Sequence, residues 1–164
     1  MPAKLEGRTI GDFRIDALIG RGSASRVFRA IQISLNRPVA LKVLEEGLFT
    51  LEELTRRFLR ESELVAKLEH PHIVPVYAAG HEGNLQFFAM RLIDGPSLAG
   101  RMESEVPLAE GIRYLSQVAS ALAYAHGQGL VHRDVKPANI LLSHGTALLT
   151  DFGLARLLEA TTIT

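Results

Sequence analysis

Short apolar runs separated by polar turns dominate the first ninety residues of the chain. Loose alternation of apolar and polar positions, with glycine at the boundaries, predicts strands in this part of the sequence. The runs that fit this pattern are 13–20, 27–31, 37–44, 73–77 and 85–90, with a turn at Gly80–Gly83 between the last two. We therefore expect the chain to begin with an antiparallel sheet built from hairpins.

Helical spacing follows the third predicted strand. Positions 51, 54, 58, 61, 65 and 68 recur at intervals of three and four, so they share one face of a predicted helix over 51–69. Five of these residues are apolar and the sixth is Glu61. A buried carboxylate is strongly destabilising unless it is paired. Lys42 is the only charged residue after Arg37 in the strand 37–44, and we expect it to pair with Glu61.

The segment His70-Pro71-His72 follows this predicted helix. Two histidines around a proline are compatible with part of a metal site, but no third ligand stands near them in the sequence. Proline just beyond a helical pattern is a common stop signal. We interpret the segment as the end of the helix.

A second helix is predicted over 108–126. Its apolar residues at helical spacing are Leu108, Ile112, Leu115, Ala119 and Leu122. Gly127-Gln128-Gly129 then ends the helix. Further along, two apolar runs flank a turn at His144–Gly145 and predict a hairpin that leads to Asp151.

Between that helix and that hairpin lies a polar loop, 132–139, which reads His-Arg-Asp-Val-Lys-Pro-Ala-Asn. Pro137 has no backbone donor and disfavours helix at Lys136, so the segment is held as a loop. It offers a carboxylate at 134, an ammonium group at 136 and a carboxamide at 139. These groups suit a reaction that needs a proton acceptor, a cation to neutralise phosphate and a ligand for a metal ion.

Composition narrows the classes of protein that fit. The 164 residues include 18 Lys+Arg and 18 Asp+Glu, so the formal net charge is zero, unlike that of a typical nucleic-acid-binding protein. The absence of cysteine excludes disulfides, thiolate metal sites and a cysteine nucleophile. We find no signal-peptide pattern in residues 1–8 and no uncharged apolar run of membrane-helix length. We expect a cytoplasmic segment without membrane contact; an anchor beyond residue 164 is a separate question.

The loop 132–139 resembles the catalytic loop of protein kinases, and its lysine two residues after the aspartate is similar to the Ser/Thr branch of that family. Other segments resemble kinase motifs in the family's order. They are Gly20–Ser25, similar to the glycine-rich loop with Ser25 in place of the third glycine, Val39–Lys42, similar to the lysine-bearing strand, and Asp151–Gly153, similar to the magnesium-binding motif.

Taken alone, the glycines at 20 and 22 are also compatible with an ordinary β-turn. A dinucleotide-binding turn would open a helix, whereas Val27 and Phe28 continue as a strand. A P-loop is excluded because no Gly-Lys-Ser/Thr is present.

The resemblance implies an α+β, protein-kinase-like fold, in which an antiparallel β N-lobe with one long helix precedes the start of a helical C-lobe. On this basis residues 1–10 are an N-terminal extension, 11–93 form the N-lobe, and 94–164 form a partial C-lobe that ends early in the activation loop. With the other C-lobe helices absent, we expect an apolar face of the helix 108–126 to be exposed.

The resemblance also implies ATP and Mg²⁺ as cofactors. Asp134 would accept the hydroxyl proton and Lys136 would stabilise the transferred phosphoryl group. Lys42, paired with Glu61, would hold the α- and β-phosphates, while Asn139 and Asp151 would bind Mg²⁺. The other nucleotide contacts would come from Ile19, Gly20, Arg21, Gly22, Ser23, Ala24, Ser25, Val27, Ala40, Met90, Leu92 and Leu141. Val65, Val76, His132 and Phe152 would stack as one column.

The function implied is that of a Ser/Thr protein kinase, similar in style to bacterial eukaryotic-like kinases. Its partners would be a protein with a Ser/Thr acceptor and a second kinase domain, with autophosphorylation near Thr161, Thr162 and Thr164. The alternative is an ATP-binding but inactive kinase fragment or a pseudokinase-type binding module. Pseudokinases usually lack one of the four key polar residues, which here are all present: Lys42, Asp134, Asn139 and Asp151. A small-molecule phosphotransferase would not be expected to carry this loop.

Overall fold

The computed structural model describes residues 4–22, 25–44, 64–83 and 85–152. The chain divides into two compact units. The first consists of Met1–Ala66 and Val76–Leu92, and the second of Lys67–Pro75 and Ile93–Thr164. The second unit therefore includes a nine-residue segment, Lys67–Pro75, that is flanked in sequence by parts of the first.

The first unit contains a six-stranded sheet in which every neighbouring pair is antiparallel. The strand order is β1-β2-β3-β4-β6-β5. The strands are β1 (Thr9–Ile10), β2 (Phe13–Arg21), β3 (Ser25–Gln32), β4 (Arg37–Leu44), β5 (Val76–Glu82) and β6 (Leu85–Arg91). Alternating side chains give the sheet two different faces. One face carries the apolar core, formed by Leu5, Ile10, Phe13, Ile15, Phe28, Ala30, Val39, Leu41, Val43, Leu85, Phe87 and Ala89.

One strand begins later in the sequence than predicted. The strand predicted at 73–77 corresponds to β5 (Val76–Glu82), which runs through Gly80, a position predicted to be in a turn. Glycine fits inside this strand because a Cβ at position 80 would lie 2.8 Å from Cζ of Phe87. The turn comes later, at Gly83, whose φ of +57° suits glycine. The predicted turn was therefore wrong at Gly80 and right at Gly83, because glycine signals both turns and close packing.

The predicted helix over 51–69 lies largely outside the described residues, as does Glu61. Within the described part, residues 64–66 are helical and Val65 is buried. A turn then follows at His70, whose carbonyl oxygen accepts a hydrogen bond from the Ile73 amide at 3.1 Å, a normal length.

Within its described residues, the second unit contains two helices and a two-stranded hairpin. Its elements are α1 (Leu98–Arg101), α2 (Leu108–Gly127), a 3₁₀ turn (Pro137–Asn139), β7 (Ile140–Ser143) and β8 (Thr146–Leu149). Ser97 caps α1, because its Oγ accepts a hydrogen bond from the Gly100 amide at 3.2 Å. The hairpin β7–β8 turns at His144 and Gly145, both with positive φ, as a two-residue hairpin turn requires.

Helix α2 presents two apolar stripes rather than one. Its buried residues are Tyr114, Val118, Ala121 and Ala125. The residues that the sequence singled out, Leu108, Ile112 and Leu115, are exposed by 80%, 58% and 64%. This agrees with the expectation that an apolar face of the helix would be uncovered. None of the helices within the described ranges is long and apolar enough to cross a bilayer.

Candidate active site

The loop 132–139 takes its shape from local backbone preferences. Lys136 is extended, with φ −155° and ψ 159°, as expected for the residue before a proline, and Pro137 begins the 3₁₀ turn. Arg133 has a φ of +68°, a left-handed conformation that is uncommon for a side chain of this size. The reversal at Arg133 brings the backbone amide of Asp134 within 3.2 Å of Nδ1 of His132.

Asp134, Lys136 and Asn139, three of the predicted site residues, lie close together in the loop. Nζ of Lys136 donates to Oδ2 of Asp134 at 2.7 Å. Nδ2 of Asn139 donates to the same oxygen at 3.0 Å and to the backbone carbonyl of Asp134 at 2.8 Å. The carboxylate is therefore fixed through one oxygen by two donors.

The same donors set the protonation state of the carboxylate. The hydrogen bond from Lys136 holds the pKa of Asp134 below its ordinary value, and the bond from Asn139 and the lysine charge act in the same direction. Partial burial of the side chain, which is 42% exposed, opposes them and is second in size only to the Lys136 hydrogen bond. Asp134 is thus ionised at neutral pH and able to accept a proton.

His132 connects this loop to the end of strand β8. Its side chain is 1% exposed, and Nε2 lies 2.8 Å from the carbonyl oxygen of Thr150. Because Nδ1 accepts the Asp134 amide, the proton of the neutral ring is on Nε2, which donates to Thr150. Burial lowers the pKa of His132, which favours this neutral form. The sequence indicated a packing role for His132 but not these two hydrogen bonds.

The predicted metal ligands, Asn139 and Asp151, lie on two segments of the second unit that are joined by a backbone hydrogen bond. The amide of Thr150 donates to the carbonyl oxygen of Asn139 at 2.9 Å, and Asp151 follows directly. Asp151 has a φ of +69°, and the next residue, Phe152, is buried with its ring 4.6 Å from that of His132. Val65 and Val76, the other predicted members of that column, belong to the first unit.

The donor set fits Mg²⁺. Both amide hydrogens of Asn139 are directed at Asp134, so Oδ1 is the atom of that carboxamide that can bind a cation. A carboxamide oxygen and a carboxylate are hard oxygen ligands of the kind that Mg²⁺ prefers. We find no group of three or more His, Asp or Glu side chains within the described part of the chain that could hold a metal alone. A magnesium ion here would complete its shell with water and substrate phosphates.

In the first unit, the strand register places the predicted nucleotide contacts on the sheet face opposite the apolar core. Gly20 and Lys42 both lie opposite Val27, and Ala40 lies opposite Met90. Lys42 and Ala40 are 8% and 7% exposed. A small residue beside a cation on one face suits a planar ring with phosphates next to it.

The glycine-rich turn is described in part. Arg21 pairs with Arg26, and the amide of Gly22 donates to the carbonyl oxygen of Ser25 at 2.8 Å. While that bond persists, the Gly22 amide is engaged by protein and not by a phosphate. Ser23 and Ala24 lie outside the described residues, as do Thr161, Thr162 and Thr164. Of the other predicted contacts, Ile19 is 52% exposed and Leu92 and Leu141 are partly buried.

Comparison with known proteins identifies the family to which this chain belongs. The model of the protein kinase domain matches residues 13–164. The chain belongs to the protein kinase family. The resemblance seen in the sequence motifs is therefore confirmed, and the kinase-like α+β fold agrees with solved kinase domains.

Two curated relatives are bacterial Ser/Thr protein kinases. The kinase domain is 39% identical over 160 residues to the serine/threonine-protein kinase PrkC of Bacillus subtilis, covering 96% of this chain and 25% of that protein. It is 40% identical over 164 residues to the serine/threonine-protein kinase pkn3 of Myxococcus xanthus, covering 94% of this chain and 30% of that one. The chain thus spans less than a third of the length of these relatives.

A solved structure gives the same result for the fold. The crystal structure of the Mycobacterium tuberculosis PknI kinase domain is similar with a TM-score of 0.80 and 36% sequence identity. The match covers 92% of this kinase domain and 63% of the PknI chain.

Proposed function

We propose that the complete protein is a Ser/Thr protein kinase, which transfers the γ-phosphoryl group of ATP to serine or threonine hydroxyls of a protein. The observation that carries the proposal is the cluster in which Lys136 and Asn139 both bind Oδ2 of Asp134. This cluster combines an ionised carboxylate, a cation and an orienting carboxamide. Phosphoryl transfer requires such groups to position the reactants and to stabilise charge.

In the proposed reaction Asp134 is the proton acceptor. The acceptor hydroxyl oxygen bonds to the γ-phosphorus while the bond from that phosphorus to the bridging oxygen of ADP breaks. The hydroxyl proton passes to the carboxylate of Asp134, whose lowered pKa keeps it ionised beforehand. Lys136, 2.7 Å from the same carboxylate, supplies positive charge for the transferred phosphoryl group.

The other roles follow the family pattern of phosphoryl transfer. When bound, Mg²⁺ would neutralise phosphate charge, and Asn139 and Asp151 are the residues that would hold it. Lys42 would hold the α- and β-phosphates of ATP, with Ala40 and Val27 beside the adenine ring. Glu61 would orient Lys42. The substrate would be a protein, and we propose that the kinase domain acts in the cytoplasm and phosphorylates a second copy near Thr161–Thr164.

Substitution of the proton acceptor tests this function in the complete protein. Incubation with Mg·ATP and a generic protein acceptor, followed by mass spectrometry, would measure phosphate transfer to the acceptor and to the kinase itself. We expect Asp134→Asn to reduce transfer at least about 100-fold, because the amide cannot accept the proton. Lys42→Met should reduce it similarly.

A matched control is Asp16→Asn, which makes the same chemical change at an exposed strand position whose only described ion pair is with Arg29. This variant should retain wild-type activity. Transfer by Asp134→Asn at the wild-type rate would disprove the role of Asp134. ATP binding by the wild type without any transfer would instead support the binding module.

A further inference from the structure

Two histidines join the segment Lys67–Pro75 to the rest of the second unit. The ring of His70 stacks on Tyr124 of α2, with 5.2 Å between ring centroids and 28° between planes. Its Nε2 lies 3.2 Å from Oγ of Ser120, one helical turn away on α2. Nδ1 of His72 lies 3.1 Å from the carbonyl oxygen of Ala147 on β8. We call His70 and His72 with these partners the histidine clasp.

The hydrogen bonds determine where each imidazole carries its proton. The backbone amide of His72 donates to Nδ1 of His70 at 3.1 Å, so that nitrogen must be unprotonated. His70 is therefore neutral, with its proton on Nε2 facing Ser120. A carbonyl oxygen only accepts, so His72 carries a proton on Nδ1. The two rings use opposite tautomers.

The clasp acts on the outer edge of strand β8. Leu149 of this strand exchanges two backbone hydrogen bonds with the segment, at 2.8 Å from its amide to His72 and at 2.9 Å to its carbonyl from Val74. At Ala147 the backbone is bound by side chains instead. His72 donates a hydrogen bond to the carbonyl oxygen, and Oε1 of Gln117 accepts a hydrogen bond from the amide at 2.8 Å. Strand β8 leads through Thr150 directly to Asp151.

We propose that His70 and His72 are positioning residues that hold β8, and with it Asp151, only while His70 is neutral, so that proton uptake by His70 loosens the clasp. A proton on Nδ1 of His70 would face the amide proton of His72, and two donors cannot bond. The new charge would also lie next to a second histidine. The proposal rests on the proposed function only for the role of Asp151; the clasp is independent of ATP.

The groups around His70 set the direction of the pH dependence. Among the residues that the structure describes, the titratable side chains that face it are His72, from its own segment, and Tyr124, from α2. Burial, and then the nearby His72, lower the pKa of His70 from its ordinary 6.5. The unfolded chain therefore binds more protons than the folded one below pH 6.5. The stability due to neutral His70 is complete above that pH and is lost as the pH falls towards the lowered folded-state pKa.

Nuclear magnetic resonance of the imidazole nitrogens tests the clasp in the wild-type chain. At pH 7.5 we expect His70 to show a protonated Nε2 and His72 a protonated Nδ1. On acidification the Leu149 amide should lose protection from hydrogen exchange as His70 titrates. A protonated Nδ1 on His70 at pH 7.5 would overturn the proposal.

Two variants of His70 separate the hydrogen bond from the charge. In His70→Asn, Oδ1 can accept the His72 amide in an Asx turn but cannot ionise at these pH values. We expect this variant to lose less stability between pH 7 and 5 than the wild type. His70→Ala removes the acceptor and should be less stable at both pH values.

The matched control is His81→Asn, at an exposed position of β5, which should show the full wild-type acid loss. Equal acid loss in His70→Asn and wild type would refute the proposal. Because the measurements need no nucleotide, their failure would leave the proposed kinase activity unaffected.

Discussion

The two units of the kinase domain are stabilised by different kinds of contact. In the first, strand pairing satisfies the backbone, and side chains from alternating positions fill an apolar core. In the second, side chains of histidine, asparagine and glutamine bind the backbone directly at Asp134, Ala147 and Thr150. The stability of the first unit should therefore depend mainly on the volume of its core side chains. The stability of the second should depend on its hydrogen bonds and on close backbone contacts that leave no room for a larger side chain.

The largest effect is expected from removing core volume in the first unit. Phe28 is 1% exposed, so Phe28→Ala should lower the free energy of unfolding by about 3–5 kcal/mol. Leu35→Ala is the matched control, since Leu35 is 60% exposed, and it should change stability by less than about 0.5 kcal/mol. Chemical denaturation followed by circular dichroism measures both. Similar losses in the two variants would contradict the account of the core.

A smaller effect is expected from adding a side-chain carbon between two closely packed backbone segments of the second unit. A Cβ at Gly95 would lie 1.9 Å from the carbonyl oxygen of Leu142, whose amide donates to Pro96 at 2.9 Å. Gly95→Ala should therefore separate the Gly95–Pro96 segment from β7 and lower the free energy of unfolding by about 3 kcal/mol.

Two other glycines sharpen this prediction. Gly80→Ala in the first unit meets a side-chain ring, which can move, so we expect a loss of about 1 kcal/mol. Gly111→Ala on α2 meets nothing within 4 Å and should stabilise the helix by about 0.5–1 kcal/mol. The same denaturation experiment ranks all three. A Gly95→Ala protein as stable as the wild type would show that the Gly95–Pro96 segment separates from β7 without loss of stability.

Removing the hydrogen bonds of His132 while keeping its ring should have a moderate effect. His132→Phe retains an aromatic ring beside Phe152 but removes the hydrogen bonds to the Thr150 carbonyl and from the Asp134 amide, at a loss of about 1–3 kcal/mol. Since the pKa of His132 is lowered, its neutral form stabilises the fold above pH 6.5 and this contribution is lost on acidification. The variant should therefore lose less additional stability between pH 7 and 5. An unchanged pH dependence would argue against the neutral ring.

The smallest effect concerns the charge on Asp134. In Lys136→Met we expect the pKa of Asp134 to rise towards its ordinary value of 3.8, because its main stabilising donor is gone. The stability that ionised Asp134 contributes is present above that pH and is lost as the pH falls through the lowered pKa, and because it grows with the lowering of the pKa, the variant should have less of it. A carboxyl titration by nuclear magnetic resonance measures the shift. No shift would mean that Asn139 alone sets the ionisation.

Sequence patterns predicted the regular parts of this fold well. The strands β2, β3, β4 and β6, the helix α2 and the hairpin β7–β8 lie where alternation and helical spacing placed them. Strand β5 was misplaced because Gly80 packs under a ring, and β1, only two residues long, gave no periodic signal. The sequence also did not distinguish the two apolar stripes of α2, because exposure depends on neighbours that periodicity does not name.

The site was predictable in its residue types but not in its backbone. Kinase motifs identified Asp134, Lys136, Asn139 and Asp151 as candidates, and the structure places Lys136 and Asn139 within hydrogen-bond distance of Asp134. Arg133 and Asp151, by contrast, adopt left-handed conformations that non-glycine side chains disfavour. Such conformations depend on tertiary contacts, which periodicity and motifs do not reveal.

The interleaved course of the chain limits how this molecule can be dissected. Segment Lys67–Pro75 belongs to the second unit, so a single cut between residues 92 and 93 would separate it from the strand it covers. A fragment starting at Ile93 would expose the edge of β8, where the Leu149 amide and carbonyl would lose His72 and Val74. Open strand edges recruit other chains. An isolated second half should thus assemble into sheets with itself, and a soluble version would need residues 67–75 grafted back as a covalently tethered strand.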